Sequence, residues 1–292
     1  MTQSLSAKSL AAIPVFFSDA MLARVESLSP SAHKPLAAVE SWTSLSIPMT
    51  MIAPSPVSRE ELARAHDRDY VDAILDCRAI NGFYTRAPDV AASLPYTTGS
   101  MLSAAREAIR NGLVAVAPCG GFHHASYASN FGFCTFNGLM ITALALKAEG
   151  VASRVGILDF DQHYGDGTDN IIETLGVDFI THFTAGEHYS SRDQSSEFLQ
   201  RVPELVASMS DCSVILYQAG ADPHVDDPLG GWLTTAQLAD RDRLVFETAR
   251  EHGIPVAWNL AGGYQSPLQK VLDIHDNTML ACESVYLGSW TV

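Results

Sequence analysis

Short apolar runs alternate with longer stretches of helical periodicity along most of this chain. The runs at residues 13–17, 113–117, 155–158, 179–183, 214–218 and 255–260 are rich in Val and Ile and mostly lack apolar/polar alternation, the pattern of strands buried on both faces. Between them, residues 99–111, 139–149, 195–209 and 235–252 read as helices. Residues 29–42 read as a helix entered through Ser29-Pro30 and Lys34-Pro35 turns, and residues 49–57 as a proline-interrupted connection. Ser58, with Glu61 three positions on, is a capping-box start that leads toward His66, Asp67, Tyr70 and Val71. Residues 81–98, with Gly82, Pro88 and Pro95, read as an irregular loop of functional length. Repeated strand and helix predict an α/β protein with a mostly parallel central sheet and helices on both faces. With no internal repeat or linker, residues 1–292 read as one domain.

In such sheets ligands collect outside the carboxyl ends of the strands, and the polar clusters of this chain fall there. The apolar run 155–158 delivers Asp159, Asp161 and His163 onto one side of an extended segment, with Phe160 and Gln162 on the other. Gly165 and Gly167 predict a tight turn that folds Asp166 back toward the same pocket. Two carboxylates and an imidazole after four buried residues are costly unless something binds there. The other strand ends carry His123-His124, Asp222 and Gly262-Gly263-Tyr264.

These residues define the candidate chemistry. Asp161, His163 and Asp222 offer a divalent metal two oxygens and a nitrogen with positions left open, the pattern of catalytic zinc; iron or manganese also suits it. His123 and His124 are candidates for proton transfer, with Asp159 and Asp166 free to fix one imidazole each. No serine or cysteine stands in the context of an activated nucleophile, so metal-activated water is the expected attacking group. Tyr264 is placed to donate to a developing oxyanion.

Composition narrows the partners. A formal charge of −15 with 18 basic residues disfavours wrapping nucleic acid and is compatible with cationic substrates. The five cysteines, Cys77, Cys119, Cys134, Cys212 and Cys282, are scattered without a CxxC, which points to a reducing, cytoplasmic setting. Neither a signal peptide nor a membrane span is predicted, and oligomeric state is not legible.

The run 158–168 (Leu-Asp-Phe-Asp-Gln-His-Tyr-Gly-Asp-Gly-Thr) resembles the metal loop of the histone deacetylase family, which includes acetylpolyamine amidohydrolases. Gly132-Phe133-Cys134, Ala219-Gly220-Ala221-Asp222 with Asp227-Pro228-Leu229-Gly230-Gly231, and the segment from Glu61 to Val71 are similar to further family motifs. The resemblance spans roughly the whole chain. It implies an arginase-deacetylase fold and a zinc held by Asp161, His163 and Asp222. It pairs His123 with Asp159 and His124 with Asp166, makes Tyr264 the oxyanion donor, and lines the acyl channel with Gly132 and Phe133. A potassium ion is implied on main-chain oxygens of Asp159, Asp161 and His163, with further ligands near Thr181 and His182. The implied activity is hydrolysis of an acetyl-lysine or another acylated amine. The rivals are a catalytically weak acyl-binding module and a manganese ureohydrolase on the related fold. Cys119-Gly120-Gly121-Phe122 and Ala261 depart from the family pattern, as do residues 184–193, which are expected to border the channel mouth.

Overall fold

Seven parallel strands form one sheet in the order β2-β1-β3-β7-β6-β4-β5 in the computed structural model, which describes residues 9–288. They are β1 (Ile13–Phe16), β2 (Met49–Ile52), β3 (Val114–Ala117), β4 (Val155–Asp159), β5 (Ile180–Thr184), β6 (Ile215–Gly220) and β7 (Val256–Ala261). The helices are α1 (Lys34–Ser44), α2 (Arg59–Leu62), α3 (Arg68–Leu75), α4 (Pro88–Asn111), α5 (Gly138–Ala148), α6 (Asp166–Leu175), α7 (Ala185–His188), α8 (Ser195–Ala207), α9 (Thr235–Glu251) and α10 (Gln269–Tyr286).

Alternation along the central strands sends side chains into two separate cores. Leu158, Tyr217 and Trp258 pack with α1, α8, α9 and α10 on one face, while Ile157, Leu216 and Ala257 pack with α3 to α6 on the other. Both faces are therefore covered, as a parallel sheet requires.

Strand order decides where the site lies. The chain builds β3, crosses to β4 and β5, and then fills the gap between β3 and β4 with β7 and β6. The four neighbours β3, β7, β6 and β4 are the strands whose carboxyl ends run into His123-His124, Tyr264, Asp222 and Asp159 to His163.

Several expectations are corrected here. Of residues 81–98 only 81–87 are irregular, because α4 begins at Pro88 and runs through Pro95. Pro88 occupies the first turn, where its missing N–H costs nothing. Interior Pro95 costs ~3 kcal/mol, which burial of Val90, Leu94, Met101 and Leu102 along the same stripe, at roughly 1.5–3 kcal/mol each, outweighs. Residues 29–42 divide into a 3-10 turn at Pro30–Ala32 and α1 from Lys34. The connection 49–57 contains edge strand β2, whose half-exposed Met-Thr-Met-Ile lacks a continuous apolar signal. Asp166 is not in a tight turn but opens α6, and Gly165, at φ −75°, is not left-handed. These glycines serve close approach instead: a Cβ on Gly165 would lie 2.7 Å from Asp159 Oδ2, and one on Gly167 2.5 Å from the His124 carbonyl carbon. α10 had no counterpart among the predicted elements.

Candidate active site

β4 ends in a carboxylate ladder that shapes the loop behind it. Asp159 Oδ1 accepts the Asp161 N–H at 3.1 Å, and Asp161 Oδ1 accepts the His163 N–H at 2.9 Å, so each acid fixes the backbone two residues on. Phe160 points the other way, into a cage of Phe183, Phe198 and Tyr217 rings. The predicted alternation of faces is thus realised.

Asp161, His163 and Asp222 converge, each offering a ligand atom within 4.8 Å of the others, and this is the one such group found among the described residues. His163 Nδ1 lies 3.1 Å from Asp161 Oδ1 and 3.1 Å from Asp222 Oδ2. Asp222 is fully buried, with Oδ1 accepting the Gln162 N–H at 3.2 Å and Oδ2 facing His163 Nδ1. Burial and the charge of Asp161 push the Asp222 carboxyl up to about 7. Burial also opposes ionisation of Asp161, but the flanking imidazoles of His123 and His163 outweigh it and hold that carboxyl well below its usual range. Hydrogen bonds to the two carboxylates raise His163 to about 11. Two buried carboxylates around an imidazole nitrogen have the donor chemistry that a divalent metal requires, so these residues fit one.

The two adjacent histidines face different surroundings. His123 Nδ1 donates to Asp159 Oδ2 at 2.8 Å in full burial, and Asp159 Oδ1 also accepts from Gln218 Nε2 at 3.0 Å. Burial works against the charged His123 ring, yet Asp159 and Asp161 together raise it to about 9. His124 Nδ1 donates to the half-exposed Asp166 at 2.6 Å. Burial and the neighbouring His123 lower His124, against the hydrogen bond it donates to Asp166. The two rings therefore differ in burial and in partner, one locked to a buried carboxylate and the other to a half-exposed one.

Tyr264 reaches the cluster through a left-handed turn. Gly262 has φ +51° and Gly263 φ +92°, and a Cβ on Gly262 would sit 2.2 Å from the Asp222 carboxyl carbon. Asp227 secures the turn by accepting the Tyr264 N–H at 2.8 Å, and burial holds the phenol protonated. Gly132 and Phe133, both left-handed, bring the Phe133 ring to 5.8 Å from that of Tyr264. Between them lies an inner cavity of about 20 Å³, lined by Gly121, His123, Cys134, Asp161 and Tyr264. The departing segment Gly120-Gly121-Phe122 lines a neighbouring cavity of about 30 Å³ that shares Ser31, Gly121 and Phe133 with it.

Three supports were not legible in the sequence. Lys34, fully buried at the start of α1, donates from Nζ to the Gly262 carbonyl and lies 3.2 Å from His275 Nε2. Burial lowers it to about 8, against the attraction of Asp222 and Asp161. Arg241, fully buried on α9, donates from Nη1 to the carbonyls of Phe160 at 3.2 Å and Gly220 at 2.7 Å, tying together the loops that carry Asp161 and Asp222. Asp242 receives Arg241 Nε, the Tyr217 hydroxyl and the Thr278 hydroxyl. Nothing local distinguishes these cations from surface residues.

The segment 184–193 contributes no lining residue to the outer groove but packs against His163, which does. Tyr189 is buried and stacks on Trp232, and the backbone at Gly186 packs behind His163. His66 is structural as well. Its Nδ1 donates to the Ser126 carbonyl at 2.9 Å and its Nε2 accepts the Asn137 N–H at 2.8 Å. His182 Nδ1 pairs with Asp169 at 2.7 Å.

A parallel sheet with this strand-end cluster places the chain in the arginase-deacetylase class of α/β folds. The crystal structure of acetylpolyamine aminohydrolase from Burkholderia pseudomallei has this fold, with a TM-score of 0.72 at 17% identity, covering 95% of this chain and 99% of that one. Residues 25–189 and 175–278 match the histone deacetylase domain. An uncharacterized protein of Picosynechococcus sp. is 30% identical over 266 residues, covering 82% of this chain and 87% of its own. Histone deacetylase 6 of Caenorhabditis elegans is 29% identical over 206 residues, which is 60% of this chain and only 21% of that longer protein. The chain belongs to the histone deacetylase family and is a deacetylase-type amidohydrolase.

Proposed function

We propose that this protein is a divalent-metal-dependent deacylase that removes a short acyl group, most simply acetyl, from an amine nitrogen. The convergence of Asp161, His163 and Asp222 at the floor of a pocket walled by His123, His124 and Tyr264 carries the reading. A metal held by those three, zinc by the ligand set, supplies Lewis-acid polarisation of an amide carbonyl and acidification of water.

The chain's own groups do the rest. Asp166 holds the proton on His124 Nδ1, which leaves Nε2 as the basic nitrogen that takes a proton from the attacking water and returns it to the leaving amine. His123, anchored by Asp159, orients and polarises the reacting groups beside it. The Tyr264 hydroxyl donates to the carbonyl oxygen as it gains charge. Phe133 and Gly132 wall the path, and an inner cavity of about 20 Å³, with room for one or two waters, suits an acetyl methyl. A potassium ion on the main-chain oxygens of Asp159, Asp161 and His163 and a reducing cytoplasmic setting, in keeping with five unpaired cysteines, complete the reading.

The test is release of free amine from acetyl-lysine peptides and small N-acetyl amines by zinc-loaded protein, beside Asp161→Ala, His163→Ala and Asp222→Ala. Wild type is expected to turn over with one metal per chain, and each variant to lose metal and activity together. Stoichiometric metal with no hydrolysis of any acyl amide refutes the assignment.

A further inference from the structure

We infer that the mouth of this site selects an acylated amine whose carrier is apolar and uncharged, over a polyamine or another cationic carrier. The inference rests on the deacylase reading and concerns the amine half of the substrate, which points outward when the acyl group enters the closed inner cavity.

The outer groove has a volume of about 270 Å³ and is lined by Leu28, Tyr84, Phe131, Phe133 and Leu229 around Tyr264. Four of these are conspicuously wet for their type: Leu28 is 61% exposed, Tyr84 64%, Phe131 62% and Leu229 38%. Scattered exposed apolar side chains need no explanation, but four gathered on the rim of one groove above a catalytic cluster form a recognition surface. The rim is also held in shape. Tyr84 and Phe133 are two of the four non-glycine residues with left-handed φ among the described residues, and their rings meet edge to face at 6.1 Å. Such backbone positions persist only where surrounding contacts enforce them.

Charge decides between carriers. No Asp, Glu, Lys or Arg lines the groove, and its only ionisable rings besides the Tyr84 and Tyr264 phenols are His124 and His163, both engaged with carboxylates. Asp227 sits under the rim but is turned inward, accepting the N–H groups of Leu229 and Tyr264 in burial. Asp166 does not line the groove and gives one carboxylate oxygen to His124. An ammonium group in the groove would shed water without gaining an ion pair, whereas an alkyl or aryl carrier buries apolar surface against four side chains. The net charge of −15 attracts cations at a distance, but that field is screened within about 8 Å at physiological salt and does not replace a partner at the rim.

The experiment compares an isosteric pair on zinc-loaded protein, N-acetylputrescine and N-pentylacetamide, which share the acyl group and chain length and differ by a terminal ammonium. N-(4-phenylbutyl)acetamide extends the apolar arm. Both kcat/KM and equilibrium Kd are measured. Burying the terminal methyl is worth roughly fourfold and desolvating an unpaired ammonium costs more on top, so N-pentylacetamide should exceed N-acetylputrescine by about tenfold or more in both quantities, and the phenyl compound should gain further. Leu229→Glu and Phe131→Glu should each move the ratio at least about tenfold toward N-acetylputrescine. Equal or reversed Kd values in wild type, or Glu variants that leave the ratio unmoved, overturn the inference even where turnover upholds the deacylase reading. Tenfold selective binding without turnover of any substrate supports the inference and removes the deacylase reading instead.

Discussion

Gly262→Ala tests how tightly the tyrosine turn and the Asp222 ligand are coupled. An alanine methyl there would lie 2.2 Å from the Asp222 carboxyl carbon and Oδ1, where ordinary contact begins at 3.4 Å. The carboxylate has little room to retreat, being fully buried and held by the Gln162 N–H. The turn is held too, because Lys34 grips the Gly262 carbonyl and Asp227 grips the Tyr264 N–H. Left-handed backbone costs an alanine about 1–2 kcal/mol, and overpacking adds about 1–3 kcal/mol, so a loss of roughly 2–5 kcal/mol in unfolding free energy is expected. Whichever side gives way, a ligand or the phenol moves by about an ångström, a displacement that costs on the order of 10² in turnover. Gly176→Ala is the control: it has φ +62° with nothing within 4 Å, so it carries the backbone strain without the collision. Urea unfolding, metal stoichiometry and kcat are measured on both variants. The reasoning fails if Gly262→Ala loses no more stability than Gly176→Ala and retains wild-type metal content and turnover.

The histidines should separate: His124→Ala is expected to cut kcat more than His123→Ala, by about 10² to 10⁴, with metal content kept in both, and the opposite ranking would exchange their roles. Tyr264→Phe should hold metal and KM while kcat falls roughly 10² to 10³, since only a hydroxyl aimed at the developing charge is lost; wild-type kcat would reduce the ring to packing. His66 supplies the pH prediction. Burial lowers it to about 4, against hydrogen bonds to two carbonyls, so between pH 6.5 and 4 the unfolded chain binds a proton the folded protein excludes. Stability must then fall as pH drops through that window, with His66 contributing up to about 1.4 kcal/mol per pH unit. His66→Phe should flatten the acid limb of a urea-unfolding profile by that slope, and an unchanged slope would show that His66 is charged in the fold.

The amino-acid sequence determined a good deal by itself, because both the strands and the candidate ligands are encoded locally. A parallel strand covered on both faces needs a continuous apolar run, so β3, β4, β6 and β7 announce themselves. The alternation that buries Phe160 necessarily turns Asp161 and His163 the other way, which makes that pair readable without coordinates. The two-residue histidine pair and the glycine turn before Tyr264 are local signals of the same kind. Edge strand β2 and the proline-bearing start of α4 escaped because their stability comes from neighbours and not from their own pattern. Tertiary structure alone decided that the late strands β6 and β7 fill the gap between β3 and β4 and so gather four remote strand ends into one site. It alone sent the cations of Lys34 and Arg241 inward to carbonyls 228 and 21 or 81 residues away. The acidic composition is compatible with cationic ligands, yet the outer groove is lined by Leu28, Tyr84, Phe131 and Leu229. Net charge is a sum over the whole surface, whereas recognition depends on the few side chains that the fold brings within contact distance.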